Sequence, residues 1–194
     1  MRSKEASTLE ENITDIRIVK SKEKIKNALI NLLNKYNFDE ISVKDICKFA
    51  EISRGTFYLH YHDKNDLVLK YQKSVMVYAK KHFKSHKYES KRDFIAQAIS
   101  FWESEGELLL LLLSSRGSGE IQQLVKSSLQ KNMELNLLPF ITHEHMTQKD
   151  ERYFLVFLSN AILGVLQEWI SSGKRETPNE LTEIIDKITT NILR

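Results

Sequence analysis

The chain has a single cysteine, so no internal disulfide can brace it. Two prolines and six glycines among 194 residues leave few helix breakers, and with 41% hydrophobic residues they suit an all-α protein. Strand-type alternation and internal repeats are absent. The longest uninterrupted apolar run is the six leucines Leu108 to Leu113, far short of the roughly 20 residues that span a bilayer. The opening MRSKEASTLEENITDI carries no apolar core behind its charges, so no secretory signal is expected. These absences point to a soluble cytoplasmic protein with no membrane partner.

Catalytic and cofactor signatures are missing as well. His60 and His62 form one His-x-His pair and His143 and His145 another, but residues two apart face different sides of a helix. No Cys or carboxylate set completes a ligand sphere, so no metal is expected. The glycine-rich SSRGSG at 114–119 lacks the lysine and the preceding strand of a phosphate-binding loop. No Ser, His and Asp arrangement and no paired carboxylates stand out. The expectation is a protein that is not an enzyme and holds no cofactor.

What is present concentrates in residues 42–67, SVKDICKFAEISRGTFYLHYHDKNDL. They read as two short helices, a tight turn between them, and the start of a third. Ser42 followed by Asp45 is a capping-box pattern, and Val43, Ile46, Cys47 and Ala50 then make one inward stripe. Cys47 reads as a small buried residue on that stripe. Glu51 and Ile52 turn the chain, and Ser53 caps the next helix. There Phe57 and Tyr61, at i and i+4, share one buried side. Gly55, Thr56, Leu59 and His60 then face outward. A Gly, a Leu and a His on an outward face suit the DNA major groove better than water: Gly lets a backbone approach, Thr and His donate hydrogen bonds, and Leu meets a thymine methyl. Asp63 caps the next helix, with Lys64 in its first turn, where the helix dipole disfavours a cation. A nearby phosphate would account for it.

The segment from about Lys20 to Tyr71 resembles the DNA-binding domain of the TetR family of transcriptional regulators. Phe38, Val43, Ile46, Ala50, Ser53, Gly55, Thr56, Phe57, Tyr58, His60, Tyr61, Lys64, Leu67 and their spacing carry the resemblance. One departure is Glu51, where the family turn usually carries Gly; that residue must take the turn geometry with a side chain, at modest strain. The resemblance implies a DNA-binding set of Ser42, Lys44, Arg54, Gly55, Thr56, Tyr58, Leu59, His60 and Lys64. Among these, Arg54 and Thr56 reach bases or phosphates, and Tyr58, Lys64, Ser42 and Lys44 reach phosphates.

Charge is distributed unevenly. The net charge is +3, yet residues 67–92 hold eight basic residues and one acidic, while residues 93–194 hold nine basic and 14 acidic. One end of the protein is therefore suited to an anion. Lys80, Lys81, Lys84 and Lys87 read as the solvated face of a long helix. Lys20, Lys22 and Lys24, in the first helix, fit either reading.

Periodicity predicts about nine helices. Residues 1–15 are polar and expected to be disordered. A first helix runs from Ile16 or Lys20 to Tyr36, with Ile25, Ala28, Leu29, Leu32, Leu33 and Tyr36 on one face and Asn37 as a left-handed terminator. After the helix-turn-helix come helices at Lys64–Ser85, Lys91–Glu105, the leucine run, Glu120–Leu137 ahead of Pro139, and Gln148–Ser172. The last opens on Thr177, Pro178 and Glu180, an N-cap, an N1 proline and a capping box. The expected division is 16–66 for DNA binding and 67–194 for a helical ligand-binding and dimerisation domain.

The last two helices suggest a second copy of the chain. Leu181, Ile184, Ile185, Ile188 and Ile192 form an apolar stripe, and Ala161 and Gly164 sit close to Val165 in the preceding helix. Two such helices from each of two chains make a four-helix interface, and the family resemblance implies the same homodimer. Ala161, Gly164, Val165, Ile184 and Ile188 are its candidate residues. The resemblance also implies a small-molecule effector, with Phe83, Phe101, Trp102, Phe154 and Trp169 as candidate pocket residues that also read as plain core. The functional expectation is a ligand-responsive repressor binding a pseudo-palindromic operator on double-stranded DNA. The alternative is a helical dimer that keeps the fold for protein interaction or small-molecule binding without regulating DNA.

Overall fold

The computed structural model describes residues 2–117, 119–136 and 147–192. Pro139, His143 and His145 lie outside them. Among the described residues there are nine α-helices and no strand. The chain divides into two compact units, Met1–Leu69 and Lys70–Arg194.

In the first unit, α1 spans Arg2–Leu33, a 3₁₀ turn Phe38–Glu40, α2 Val43–Ala50 and α3 Arg54–Tyr58, and α4 begins at Lys64. α1 starts well before the Ile16 or Lys20 read from the sequence. No Pro or Gly lies between residues 2 and 33 to stop it. Ile25, Ala28, Leu29, Leu32 and Leu33 are buried as expected, and they meet Phe38, Ile41, Ile46, Cys47, Ala50, Phe57, Tyr61, Leu67 and Val68 in one core. Two expectations are corrected at the end of α1. Tyr36 is exposed, because the helix has already ended at Leu33. Asn37 is extended (φ −73°), not left-handed, and opens the 3₁₀ turn, its N–H donating to Glu40 Oε2 at 2.8 Å.

In the second unit, α4 ends at Ser85, followed by α5 Lys91–Ser104, α6 Glu107–Leu113, α7 Gly119–Asn136, α8 Gln148–Ser171 and α9 Pro178–Ile192. α6 is apolar on every side, and Leu108 to Leu113 are all buried. It packs against α5, α7 and α8, while α9 packs on α5. Lys91 and Arg92 of α5 pair with Asp186 at 3.0 Å and Glu183 at 3.1 Å across that second contact. Gly106 permits the tight α5–α6 turn: a Cβ there would lie 2.2 Å from the Trp102 ring. Thr147 and Thr177 cap α8 and α9, closing boxes with Asp150 and Glu180.

The α9 stripe splits in two. Leu181 and Ile185 are buried, whereas Ile184 and Ile188 are 40% and 43% exposed. α8 behaves likewise: Leu158, Leu163, Leu166, Trp169 and Ile170 face inward, while Ala161 and Gly164 are exposed and Val165 is half-buried. Tyr153, Val156 and Phe157 extend this outer row, a continuation of the Ala161 and Gly164 spacing that the sequence reading stopped short of. α8 is long and apolar enough to cross a bilayer by length and composition alone; in this fold its inner side packs on α6 and α7.

Candidate nucleic-acid interface

The interface begins at the turn between α2 and α3. Ser42 closes the α2 capping box: its N–H donates to Asp45 Oδ2 at 3.0 Å, and its Oγ accepts from the Asp45 N–H at 3.2 Å. The Ser42 hydroxyl proton also goes to Asp45, whose carboxyl is held below the usual carboxylate range, chiefly by that bond. The Ser42 hydroxyl is thus engaged in the cap. Lys44, two residues after Ser42, is exposed. Glu51 ends α2 in the left-handed conformation (φ 53°, ψ 47°), so a residue with a side chain does take the geometry that favours glycine. Ile52 N–H then bonds back to Cys47 O at 3.1 Å.

Ser53 caps α3, accepting from Thr56 N–H at 3.0 Å, with the two hydroxyl oxygens 2.9 Å apart. α3 is only five residues long, and Phe57 anchors it. That ring is fully buried, 5.6 Å from the ring of buried Tyr61 and edge-on to Tyr58. On the other side Arg54 and Gly55 are exposed, Tyr58 is 48% exposed and Leu59 is 82% exposed. Arg54 donates to the Tyr58 hydroxyl at 3.2 Å and lies over its ring, so the two form one cationic and aromatic edge. Gly55 meets no crowding: an added Cβ would find only Ser53 Oγ, at an ordinary 3.5 Å. The fold itself does not demand glycine there.

Two candidate residues turn inward instead. His60 is half-buried, and its Nε2 lies 2.7 Å from Ser21 Oγ on α1. Lys64 donates to three main-chain carbonyls, Phe38 at 2.6 Å, Ile41 at 2.8 Å and Asp39 at 3.1 Å, and sits 4.7 Å from the Phe38 ring centre. These carbonyls carry partial negative charge and offset the cation in the first turn of α4. Ser21 went unnoticed in the sequence because nothing local marks a partner 39 residues away.

The first unit also carries a groove of about 490 Å³ lined by Leu32, Tyr36, Glu40, Ile41, Asp45, Lys48 and Phe49. In the second unit, Phe83, Phe101, Trp102 and Trp169 are buried and Phe154 is half-buried. The Phe101 ring lies 5.3 Å from that of Phe83, tilted, and 5.2 Å from that of Trp102, edge-on, while the Trp169 indole N–H donates to Glu176 O at 2.8 Å. A separate cavity of about 250 Å³ is lined by Leu113, Gly119, Gln122, Gln123, Lys126, Asn160, Leu163 and Gln167. Among the described residues no cluster of His, Cys, Asp and Glu could hold a metal ion.

A family model described as bacterial regulatory proteins of the tetR family matches residues 25–71. A second, described as a transcriptional regulator C-terminal region, matches residues 89–191. No curated protein sequence matches the chain. Solved structures share its fold at low identity. A TetR transcriptional regulator from Streptococcus agalactiae is 22% identical, with 90% of this chain and 96% of that one covered and a TM-score of 0.60. The dihydroxyacetone kinase operon activator DhaS is 18% identical, with 89% and 93% covered and a TM-score of 0.58. A transcriptional regulator FadR from Bacillus subtilis, solved in complex with stearoyl-CoA, is 15% identical, with 88% and 96% covered and a TM-score of 0.60. The capped helix-turn-helix, the all-helical second unit and both family matches place the chain in the TetR family of DNA-binding transcriptional regulators.

Proposed function

We propose that the chain is a repressor that binds a pseudo-palindromic DNA operator as a homodimer in the cytoplasm and responds to a small-molecule effector. The observation that carries this reading is the outer face of α3, where Arg54, Gly55, Tyr58 and Leu59 stand in solvent on a helix anchored from behind by Phe57. Arg54 reads a base edge, Gly55 lets the helix backbone come close, and Leu59 meets a thymine methyl. Tyr58 and Lys44 reach phosphates, and the Thr56 and Ser42 hydroxyls join them by turning away from Ser53 and Asp45.

A helix this short spans few base pairs, so two copies on two half-sites supply the specificity. The exposed rows on α8 (Tyr153, Phe157, Ala161, Gly164) and α9 (Ile184, Ile188) support pairing with a second copy. An added Cβ at Gly164 would meet nothing within 4 Å in its own chain, which leaves room for a partner helix. Repression follows from occupancy, since a dimer seated on promoter DNA excludes other proteins from the same site. The small cavity lined by carboxamides and Lys126 favours a compact polar effector over a long acyl chain. Whatever enters must bind the two states of the dimer differently to matter.

The test is selection of genomic fragments by the purified protein, followed by titration of the best fragment across a salt series. A pseudo-palindrome bound far above random DNA, with steep salt dependence, is the expected result. No enrichment at low salt would overturn the reading.

A further inference from the structure

We propose that the cavity between α7 and α8 binds a small anion that carries hydroxyl groups, a polyhydroxy carboxylate or phosphate on a short carbon chain. This rests on the effector reading above and names the chemical class of that effector.

The amide orientations at the end of α6 carry the inference. Leu113 and Ser114 are buried there, and the last carbonyls of a helix need donors. Two glutamines supply them. Gln122 of α7 donates from Nε2 to Ser114 O at 2.5 Å and to Gly117 O at 3.1 Å, and Gln167 of α8 donates from Nε2 to Leu113 O. A carbonyl only accepts, so each amide turns its nitrogen to it and keeps its oxygen for another partner. Asn160 of α8 does the same within its own helix, donating from Nδ2 to Val156 O at 2.6 Å. All three residues line the cavity, and among the described residues nothing donates to their side-chain oxygens. Lys126, one turn after Gln122 on α7, lines it too, and among the described residues its ammonium has no partner. Leu113 and Leu163 give the apolar walls.

Neutral acceptors call for hydroxyl protons, and a lone ammonium calls for an anionic group. Among the described residues that line the cavity there is no Asp or Glu. An ammonium on the ligand would therefore sit near Lys126 with no carboxylate to offset it, which argues against an amine or an amino acid. Size sets the chain length. A cavity of about 250 Å³ holds roughly eight water volumes, or about eight to ten non-hydrogen atoms. Two hydroxyls and one anionic group on a chain of about three or four carbons fill it. The site also reaches the row offered above for the dimer. Asn160 and Gln167 belong to α8, the helix whose Ala161 and Gly164 are exposed. A ligand bridging Lys126 and Asn160 thus bears on that helix, and it shifts the dimer only if it binds its two states differently.

The experiment measures binding by calorimetry to the full-length protein without DNA, then repeats the operator titration with each probe present. The probes are glycerate, glycerol 3-phosphate, glycerol, inorganic phosphate and serine. Glycerate or glycerol 3-phosphate should bind at least about ten-fold more tightly than the other three, and the tighter of the two names the anionic group. Lys126→Met should weaken that binding about ten- to a hundred-fold, the worth of a hydrogen bond to a charged group. Asn160→Asp keeps the size and sets a carboxylate beside the anion, so it should weaken the anions and spare glycerol. Lys126 is half-buried and Asn160 exposed, and melts without probe check that both variants fold. Glycerol bound as tightly would overturn the role of Lys126, and inorganic phosphate bound as tightly that of the amide oxygens. Serine bound more tightly would overturn the choice of hydroxyls over an ammonium. No binding of either hydroxy anion, or binding that both variants leave intact, would overturn the site. A probe that binds here yet leaves operator affinity unchanged would overturn the effector reading and not the site.

Discussion

α3 and α8 both leave apolar side chains in water, and they do so in opposite ways. α3 is one turn and a half, and its exposed Leu59 stands beside an arginine and a tyrosine hydroxyl. α8 runs for 24 residues and exposes Tyr153, Phe157, Ala161 and Gly164 as one row. Each row contains a glycine at which its own chain would accept a side chain without a clash. The shared device is room for an approaching backbone; the surrounding chemistry tells which kind. Cationic and hydrogen-bonding neighbours suit a polyanion, whereas a protein interface keeps charge out of its centre.

Substitutions that separate the two faces test this contrast. Phe157→Glu should have the largest effect, raising the dimer dissociation constant by about a hundred-fold or more, as expected when a charge is placed in an apolar interface centre. Sedimentation at several concentrations reads it, and an unchanged dimer would remove α8 from the interface. Arg54→Ala should cost about 1–3 kcal/mol of operator binding and blur preference at one base pair. Repeating the fragment selection with the variant checks this, and equal loss on every sequence would reassign Arg54 to a phosphate. Gly55→Ala should raise helix stability by roughly 0.5–1 kcal/mol in a thermal melt and still weaken operator binding. Gly164→Ala should weaken the dimer while leaving the affinity of preformed dimers for DNA intact. An alanine that stabilises Gly55 and spares binding would show that no backbone approaches there.

The smallest effect lies on neither face. Among the described residues, His82 has a buried Nε2 without a hydrogen-bond partner. Its ring is 5.2 Å from Phe101, 5.3 Å from Phe83 and 4.4 Å from His86, with Tyr78 at 6.3 Å. Burial first, and His86 second, lower its pKa below the ordinary 6.5. The unfolded chain then takes up the proton more readily, so this contribution is present above pH 6.5 and fades as pH falls below it. His82→Phe should flatten that dependence and leave stability unchanged or higher by about 1 kcal/mol. Melts at about pH 7.5 and about pH 5.5 compare the two, and an unaltered acid loss would assign it to other groups.

Much of the fold was legible because its signals are local. The Ser42–Asp45 and Thr177–Glu180 boxes, the Ser53 cap and the strained turn at Glu51 all lie within a few residues of their partners. The exposed edge formed by Arg54, Gly55, Tyr58 and Leu59 follows from a 3.6-residue period. What escaped was set by distant contacts. His60 and Lys64 share the motif's spacing, but their partners lie in α1 and the 3₁₀ turn, so spacing alone could not turn them inward. The α9 stripe looked single because a period cannot say how wide the covering layer is. Packing against α5 covers Leu181 and Ile185 and leaves Ile184 and Ile188 out.

The brevity of α3 has a consequence in time. A helix of five residues gains too few backbone bonds to offset its nucleation, so it persists only while its anchors hold. Its amides should open by local fluctuation and exchange with solvent well before those buried along α1. Bound DNA would then slow that exchange most at the residues that read it. If α3 reads DNA as proposed, part of the binding free energy goes into ordering that short helix.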